Sequence, residues 1–285
     1  MRPKLIIILG PTAVGKTDYS IELAQKYASP IISCDSRQLF REMIVGTAPP
    51  SIEQLALVPH YFIQSHTVKE YYTAGRYELE ALELMDKLFK KHDNLIMVGG
   101  AGLYIDAVCK GLDDFPDADQ KLRQILTERL EKDGLESLKI ELKKIDPQSY
   151  ETIDIANKQR VIRALEVTIA TGKKFSSYKK NQKKERFFDI EKVGITRERN
   201  DLYDRINLRV DRMMEAGLVE EVRSLVNYRN MPALNTVGYK EIFDYLDEKI
   251  SLEEAVSLIK RNTRRYAKRQ MTYWGRDDEI AWITL

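Results

Sequence analysis

The chain has 285 residues, 43% of them hydrophobic and 32% charged, with a formal net charge of +2. That length allows one large domain or two moderate ones with a buried core, and that composition excludes a disordered chain. Near-neutral charge excludes a uniformly basic nucleic-acid binder, so a positive surface has to be sought in how the bases are distributed.

The first predicted element is the apolar run Leu5-Ile6-Ile7-Ile8-Leu9, a buried strand. It leads into Gly10, Pro11, Thr12, Ala13, Val14, Gly15, Lys16 and Thr17, followed by a helical segment to residue 27. This is the strand, glycine-rich loop, helix pattern G-x-x-x-x-G-K-[ST]. Gly10 and Gly15 let backbone N–H groups turn toward an anion, and the helix N-terminus adds its partial positive charge. Lys16 brings a full charge to phosphate oxygens, and Thr17 brings a hydroxyl suited to a phosphate-bound Mg2+. Most such loops hold ATP or GTP, so the loop alone marks a nucleotide-binding site and leaves the diphosphate or triphosphate open.

Residues 30–34 read as a second buried strand, ending at Asp35-Ser36-Arg37-Gln38. In an open parallel sheet the C-terminal ends of the strands face the ligand crevice, so Asp35 is expected at the same mouth as the phosphate loop. A carboxylate there can take a proton from an attacking group, and it can equally be a helix cap or turn residue. A breaker-rich loop over 46–50 precedes a helix over 75–92, whose Leu82, Met85, Leu88 and Phe89 form a core-facing stripe. A third strand over 94–98 runs into Gly99-Gly100-Ala101-Gly102, which opens the next helix. The first apolar run is too short for a signal peptide or a membrane span, and Cys34 and Cys109 sit far apart in apolar surroundings. Both point to free thiols in a cytoplasmic protein without a membrane partner.

From residue 113 the character changes to helices, over 117–132, 135–144 and 154–171, the last stopped by Gly172. Arg160 and Arg163 lie three apart on one face of that last helix. The run 173–186 holds seven bases against the single acid Glu185, with Phe175 and Tyr178 interleaved, which favours an RNA-facing surface. A strand pattern resumes over 189–196, and a long helix begins at Arg199. Standing after a strand end, Arg199 is placed to reach the mouth shared by Lys16 and Asp35, whereas Arg205 and Arg209 are expected in surface ion pairs. Residues 236–240 form a turn before a helix, and the final helix, 252–274, concentrates Lys260, Arg261, Arg264, Arg265, Lys268 and Arg269. A short strand over 280–283 follows. The expected fold is α/β, a P-loop parallel-sheet core with helices on both faces over 1–112 and 189–285. A helical insertion domain interrupts it over 113–188.

Taken jointly, the motifs resemble the tRNA dimethylallyltransferases, also called tRNA isopentenyltransferases. The matching stretches are GPTAVGKT (10–17), DSRQLF (35–40), GTA (46–48), VPHYF (58–62), VGGAGLY (98–104), KQRVIRALEV (158–167), RVDRMMEAGLVEEV (209–222), NTVGYKEI (235–242) and RRYAKRQMTYW (264–274). They stand in the family's order over nearly the whole chain.

The resemblance implies transfer of a dimethylallyl group from dimethylallyl diphosphate to N6 of adenosine 37, just 3′ of the anticodon in tRNA. The phosphate loop would then hold a prenyl diphosphate with Mg2+, bound through Thr17. It implies that Asp35 orients the amine and takes its proton, while Lys16, Thr12 and Arg199 stabilise charge on the leaving diphosphate. Asp35, Ser36, Arg37 and Gln38 would line the base pocket. RNA contacts would come from Ala101, Arg123, Gln159, Arg160, Val161, Ile162 and Arg163, and from Asn235, Thr236, Val237, Gly238, Tyr239 and Lys240. The insertion would clasp the anticodon stem-loop, and the protein is expected to be a monomer. The chain departs from the family pattern at Ala101, where a hydroxyl is usual, at Pro49 for a usual Lys and at Ile44 for a usual Asp. A P-loop kinase of small molecules shares the loop and the strand-end Asp, but gives no reason for the two basic regions.

Overall fold

The computed structural model describes residues 2–117, 119–180 and 182–285. Ala118, within the helix expected over 117–132, and Asn181, within the basic run, lie outside the described residues. The chain divides into two compact units, residues 1–110 with 185–285, and residues 111–184.

The first unit opens with β1 (Lys4–Leu9), α1 (Lys16–Lys26), β2 (Ile31–Ser33), α2 (Ile52–Leu57), β3 (His60–Tyr61), α3 (Ala74–Leu88), β4 (Asn94–Gly99) and α4 (Gly102–Lys110). The second unit carries α5 (Gln120–Ile145), α6 (Pro147–Thr152), α7 (Lys158–Thr171) and α8 (Phe175–Tyr178). The first then resumes with β5 (Asp189–Thr196), α9 (Arg199–Glu215), α10 (Leu218–Ser224), α11 (Tyr239–Leu246), α12 (Leu252–Trp274) and β6 (Ile280–Thr284).

The six strands form one sheet in the order β3-β2-β4-β1-β5-β6, and every pairing is parallel. Parallel strands buried on both faces read as unbroken apolar runs, which is why residues 5–9 announce themselves. Alternation along β1 sends Ile6 and Ile8 into a core with Ile21 of α1, Leu202 and Ile206 of α9 and Ala267 of α12. Leu5, Ile7 and Leu9 therefore face the opposite side of the sheet, and all three are buried there too. Helices thus cover both faces, as the sequence pattern requires. A further core joins Leu39, Phe40 and Met43 to α10, α11 and α12 through Leu218, Ile242 and Ile259. Cutting one of these aliphatic side chains to Ala costs about 2–5 kcal/mol.

The second unit is helical. α5 breaks at Gly134, whose φ of 78° belongs to no helix. Arg129 and Glu141 stand 2.6 Å apart across that break. Twelve residues of straight helix would separate them by about 18 Å, so the two arms fold back on one another. The expected helices 117–132 and 135–144 are these arms, and Asp119 caps the first by accepting from the N–H groups of Lys121 and Leu122. Leu126, Leu138 and Leu142 of the arms meet Val161, Ile162 and Leu165 of α7 in one core. The breaks fall at 110/111 and 184/185 rather than 112/113 and 188/189. Residues 185–188 join the first unit because Arg186 pairs with Glu78 at 2.8 Å and donates to the Ala107 and Val108 carbonyls, and because Phe188 stacks on Phe89.

Candidate active site at the phosphate loop

The C-terminal ends of β1, β2 and β4 open onto one cavity of about 700 Å³, formed entirely within the first unit. Residues 12–17 of the phosphate loop line it, together with Asp35 after β2, Gly99 and Gly100 after β4, and Arg205, Arg209 and Arg212 of α9. Ligands of open α/β sheets bind at this edge, where consecutive strands diverge to either side of the first.

The loop leaves β1 and turns at Gly15, which begins α1 with φ 110°, a conformation costly for any residue with a Cβ. Its outward carbonyls are held by arginines that follow β5. Arg205 Nε donates to the Ala13 carbonyl at 2.9 Å and Arg197 Nε to that of Val14 at 2.9 Å. Gln270 of α12 accepts from the Thr12 N–H at 3.0 Å and donates to the Gly100 carbonyl at 2.9 Å, so it ties the loop to the end of β4. Lys16 Nζ donates to the carbonyls of Gly10 and Pro11 at 2.9 and 2.8 Å, which folds its charge back over the loop.

The electrostatics are those of a half-buried cationic cradle. Burial pulls the Lys16 ammonium down to about 8, the Arg209 charge adds to that, and Asp35 opposes it. Arg209 is itself lowered, first by burial and then by Arg205, again with Asp35 in opposition. The three groups therefore feel one another across the cavity. Asp35 Oδ1 accepts from the N–H groups of Arg37 at 2.8 Å and Gln38 at 3.2 Å, which fixes the carboxylate by the turn that follows it. Tyr266 of α12 completes this side, its hydroxyl pushed up to about 12 by burial and by Asp35.

Not every expected residue is here. Arg199 is exposed, lies over the Tyr203 ring at 5.3 Å and does not line the cavity. Its place is taken by Arg209, whose Nη1 donates to Thr12 Oγ1 at 3.3 Å, and by Arg205. The expectation that these two make surface ion pairs is thus corrected. One face of α9 carries Arg205, Arg209 and Arg212 at helical spacing; Arg205 and Arg209 reach from it to Ala13 and Thr12 of the loop, while Arg205 and Arg212 remain exposed at the cavity mouth. Gln38 lines the cavity and donates to the carbonyls of Thr47 and Ala48, whereas Ser36 and Arg37 sit half-buried beside it. Ala101 immediately precedes α4, its carbonyl accepting from the N–H groups of Tyr104 and Ile105. Of residues 235–240, Asn235 and Lys240 are exposed and Thr236 and Val237 half-buried, but Gly238 and Tyr239 are buried.

In the second unit, Val161 and Ile162 point wholly into the core, so their side chains are unavailable to RNA. Arg123 and Arg163 share the buried carboxylate of Glu166, at 3.1 and 2.9 Å. Arg123 also donates to Gln159, and Arg163 to the Pro116 carbonyl. Arg160 is 61% exposed, with Asp154 no nearer than 4.0 Å.

The family model for IPP transferase matches residues 38–277. The chain is 49% identical over 281 residues to tRNA dimethylallyltransferase 1 of Bacteroides thetaiotaomicron, covering 99% of this chain and 91% of that one. The chain belongs to the tRNA dimethylallyltransferase (IPP transferase) family. Another family member, tRNA dimethylallyltransferase 2 of Porphyromonas gingivalis, is 49% identical over 279 residues, 98% of this chain and 93% of that one. Family structures agree in fold. The tRNA isopentenylpyrophosphate transferase of Bacillus halodurans matches with a TM-score of 0.71 at 38% identity, covering 99% of this chain and 89% of that one. A eukaryotic dimethylallyltransferase acting on tRNA matches with a TM-score of 0.81 at 27% identity, covering 99% and 74%. Among the described residues no group of three His, Cys, Asp or Glu could hold a metal ion, and no helix is long and apolar enough to cross a membrane.

Proposed function

We propose that this chain transfers the dimethylallyl group of dimethylallyl diphosphate to N6 of adenosine 37 in the anticodon stem-loop of tRNA, releasing diphosphate. The observation that carries the proposal is the convergence of Lys16, Asp35 and Arg209 on one cavity in a chain that matches the family over nearly its full length.

The chemistry asks for little nucleophilic activation of the amine and much stabilisation of the leaving group. The N6 lone pair is delocalised into the purine, whereas the allylic carbon can leave its oxygen as a stabilised cation. The C–O bond breaks with its electrons going to the diphosphate, and a C–N bond forms at N6. The N6 proton passes to the Asp35 carboxylate, held by the Arg37 and Gln38 N–H groups. Lys16, Arg209 and the loop N–H groups oppose the charge that develops on the diphosphate. Thr17 at the start of α1 fits the role of a hydroxyl ligand to a divalent ion, Mg2+ in this reading, whose other ligands would be phosphate oxygens and water. Bound there, the ion would supply further neutralisation of the leaving group.

The adenine has to leave the anticodon-loop stack to reach the cavity, at a cost of a few kcal/mol, roughly, offset by contacts to Asp35, Gln38 and Tyr266. Exposed Arg160, with Lys158 beside it at the start of α7, is placed to meet an RNA phosphate. The second unit is assigned to tRNA binding, and the protein is taken as a cytoplasmic monomer. The rival reading, a small-molecule kinase, is tested by ATP consumption with candidate acceptors. Transfer to tRNA requires none, and sustained ATP turnover would replace this reading.

A further inference from the structure

We propose that Glu221, backed by Tyr239, is a positioning residue that shapes the apolar wall of the donor cavity and so selects the prenyl diphosphate over bare diphosphate; this rests on the donor reading above.

Glu221 lies on α10, which Leu218 and Val222 anchor in the core. Its Oε2 accepts from the N–H groups of Ile44 at 2.8 Å and Val45 at 2.7 Å. Its Oε1 accepts from the Gly46 N–H at 3.0 Å and the Tyr239 hydroxyl at 2.6 Å. Three consecutive N–H groups converging on one anion is the arrangement by which backbone binds phosphate. Here the chain fills that arrangement with its own carboxylate. That nest is thereby closed to the diphosphate, and the segment 44–49 meets the cavity through Ile44, Val45, Thr47, Ala48 and Pro49. Ile44, Val45, Ala48 and Pro49, with Leu208 and Met213 of α9, make the apolar part of this lining, a wall suited to a short hydrocarbon.

The wall needs outside support. Ala48 stands at φ 45°, a conformation that a residue with a side chain holds only when its surroundings fix it. Gly46 is required by the close approach of Tyr239, because a Cβ there would come within 2.6 Å of the ring. Tyr239 is wholly buried, so its hydroxyl serves this contact rather than an external ligand, and burial together with the Glu221 charge keeps it protonated.

The test is calorimetric titration of the wild type, Glu221→Ala, Glu221→Gln and Tyr239→Phe with dimethylallyl diphosphate and, separately, inorganic diphosphate, each with Mg2+. Glu221→Ala is expected to bind dimethylallyl diphosphate about tenfold or more weakly while inorganic diphosphate is unchanged or tighter, since three donors are released. Acetate at high concentration is expected to restore the preference by occupying the same N–H groups, a response that a general folding defect would not give. Glu221→Gln keeps the shape and one acceptor, is expected to fall between the two, and carries the test if the alanine variant does not fold. Tyr239→Phe is expected to lose only a few-fold, about one neutral hydrogen bond. Equal losses for both ligands, no acetate response, a change confined to RNA affinity, or a wild type without preference for the prenyl ligand overturns the proposal. Prenylation of a stem-loop by the wild type reports separately on the donor reading itself.

Discussion

Arg209 Nη1 lies 3.3 Å from Thr12 Oγ1, which brings a cation from the middle of α9 onto the loop that also presents Lys16. A donor aimed at a developing oxyanion is worth about 10²–10³ in rate. Arg209→Ala is therefore expected to lower kcat by about that factor and to weaken donor binding as well. Arg199→Ala, altering an exposed side chain stacked on Tyr203, is expected to stay within a few-fold of wild type. Steady-state kinetics on both variants check the pair, and a larger loss at Arg199 would reverse the assignment.

Lys16 gives a pH prediction with a definite sign. Its pKa of about 8 belongs to the protein alone, and a bound diphosphate favours the ammonium and raises it. Above pH 8 donor binding therefore takes up a proton, and the donor KM is expected to rise, approaching tenfold per pH unit, with no contribution from this group below pH 7. Calorimetry in buffers of different ionisation enthalpy is expected to show about one proton taken up at pH 9 and almost none at pH 7. In the fold itself the sign is opposite. A lysine depressed below its unfolded value of 10.5 destabilises at neutral pH, and that penalty fades as pH rises through the interval.

Asp35 has its Oδ1 engaged by two backbone N–H groups, so Asp35→Asn can preserve the turn while removing the proton acceptor. The rate is expected to fall by about 10²–10⁴ with stem-loop affinity within a few-fold of wild type. Single-turnover rates set beside RNA titrations separate the two quantities. An unchanged rate would remove Asp35 from proton transfer.

The two arginines of α7 should behave differently. Arg160→Ala is expected to lower the salt slope of RNA binding by about one, with the melting temperature unchanged. Arg163→Ala unpairs the buried Glu166 carboxylate in part and is expected to cost about 1–3 kcal/mol of stability, seen as a lower melting temperature. Thermal melts and binding at several salt concentrations distinguish them.

What the sequence made legible follows the strength of local signals. β1 and β4 are unbroken apolar runs, α7 and α12 carry long periodic patterns, and the phosphate loop has fixed chemistry at fixed spacing. β3, two residues long, has no period to read, and residues 185–188 join the core through contacts with α3 and α4 that no local pattern announces. Arg199 looked suitable because it follows a strand end, yet a helix N-terminal residue can project away from the crevice. The row Arg205, Arg209, Arg212 was present in the sequence at i, i+4 and i+7. Interleaved Asp204 and Asp211 make it resemble a solvated face, and only the contacts that Arg205 and Arg209 make with the loop distinguish the two. Likewise Val161, Ile162 and Tyr239 fall inside motifs that resemble RNA-contacting segments, while their side chains serve the cores beneath.

The central claim is tested most directly by incubating the protein with an anticodon stem-loop bearing adenosine 37, Mg2+ and dimethylallyl diphosphate, and measuring the mass of the RNA. The account predicts the gain of one dimethylallyl group, lost when that adenosine is replaced by guanosine. An RNA of unchanged mass, with a stem-loop that the protein demonstrably binds, would contradict it.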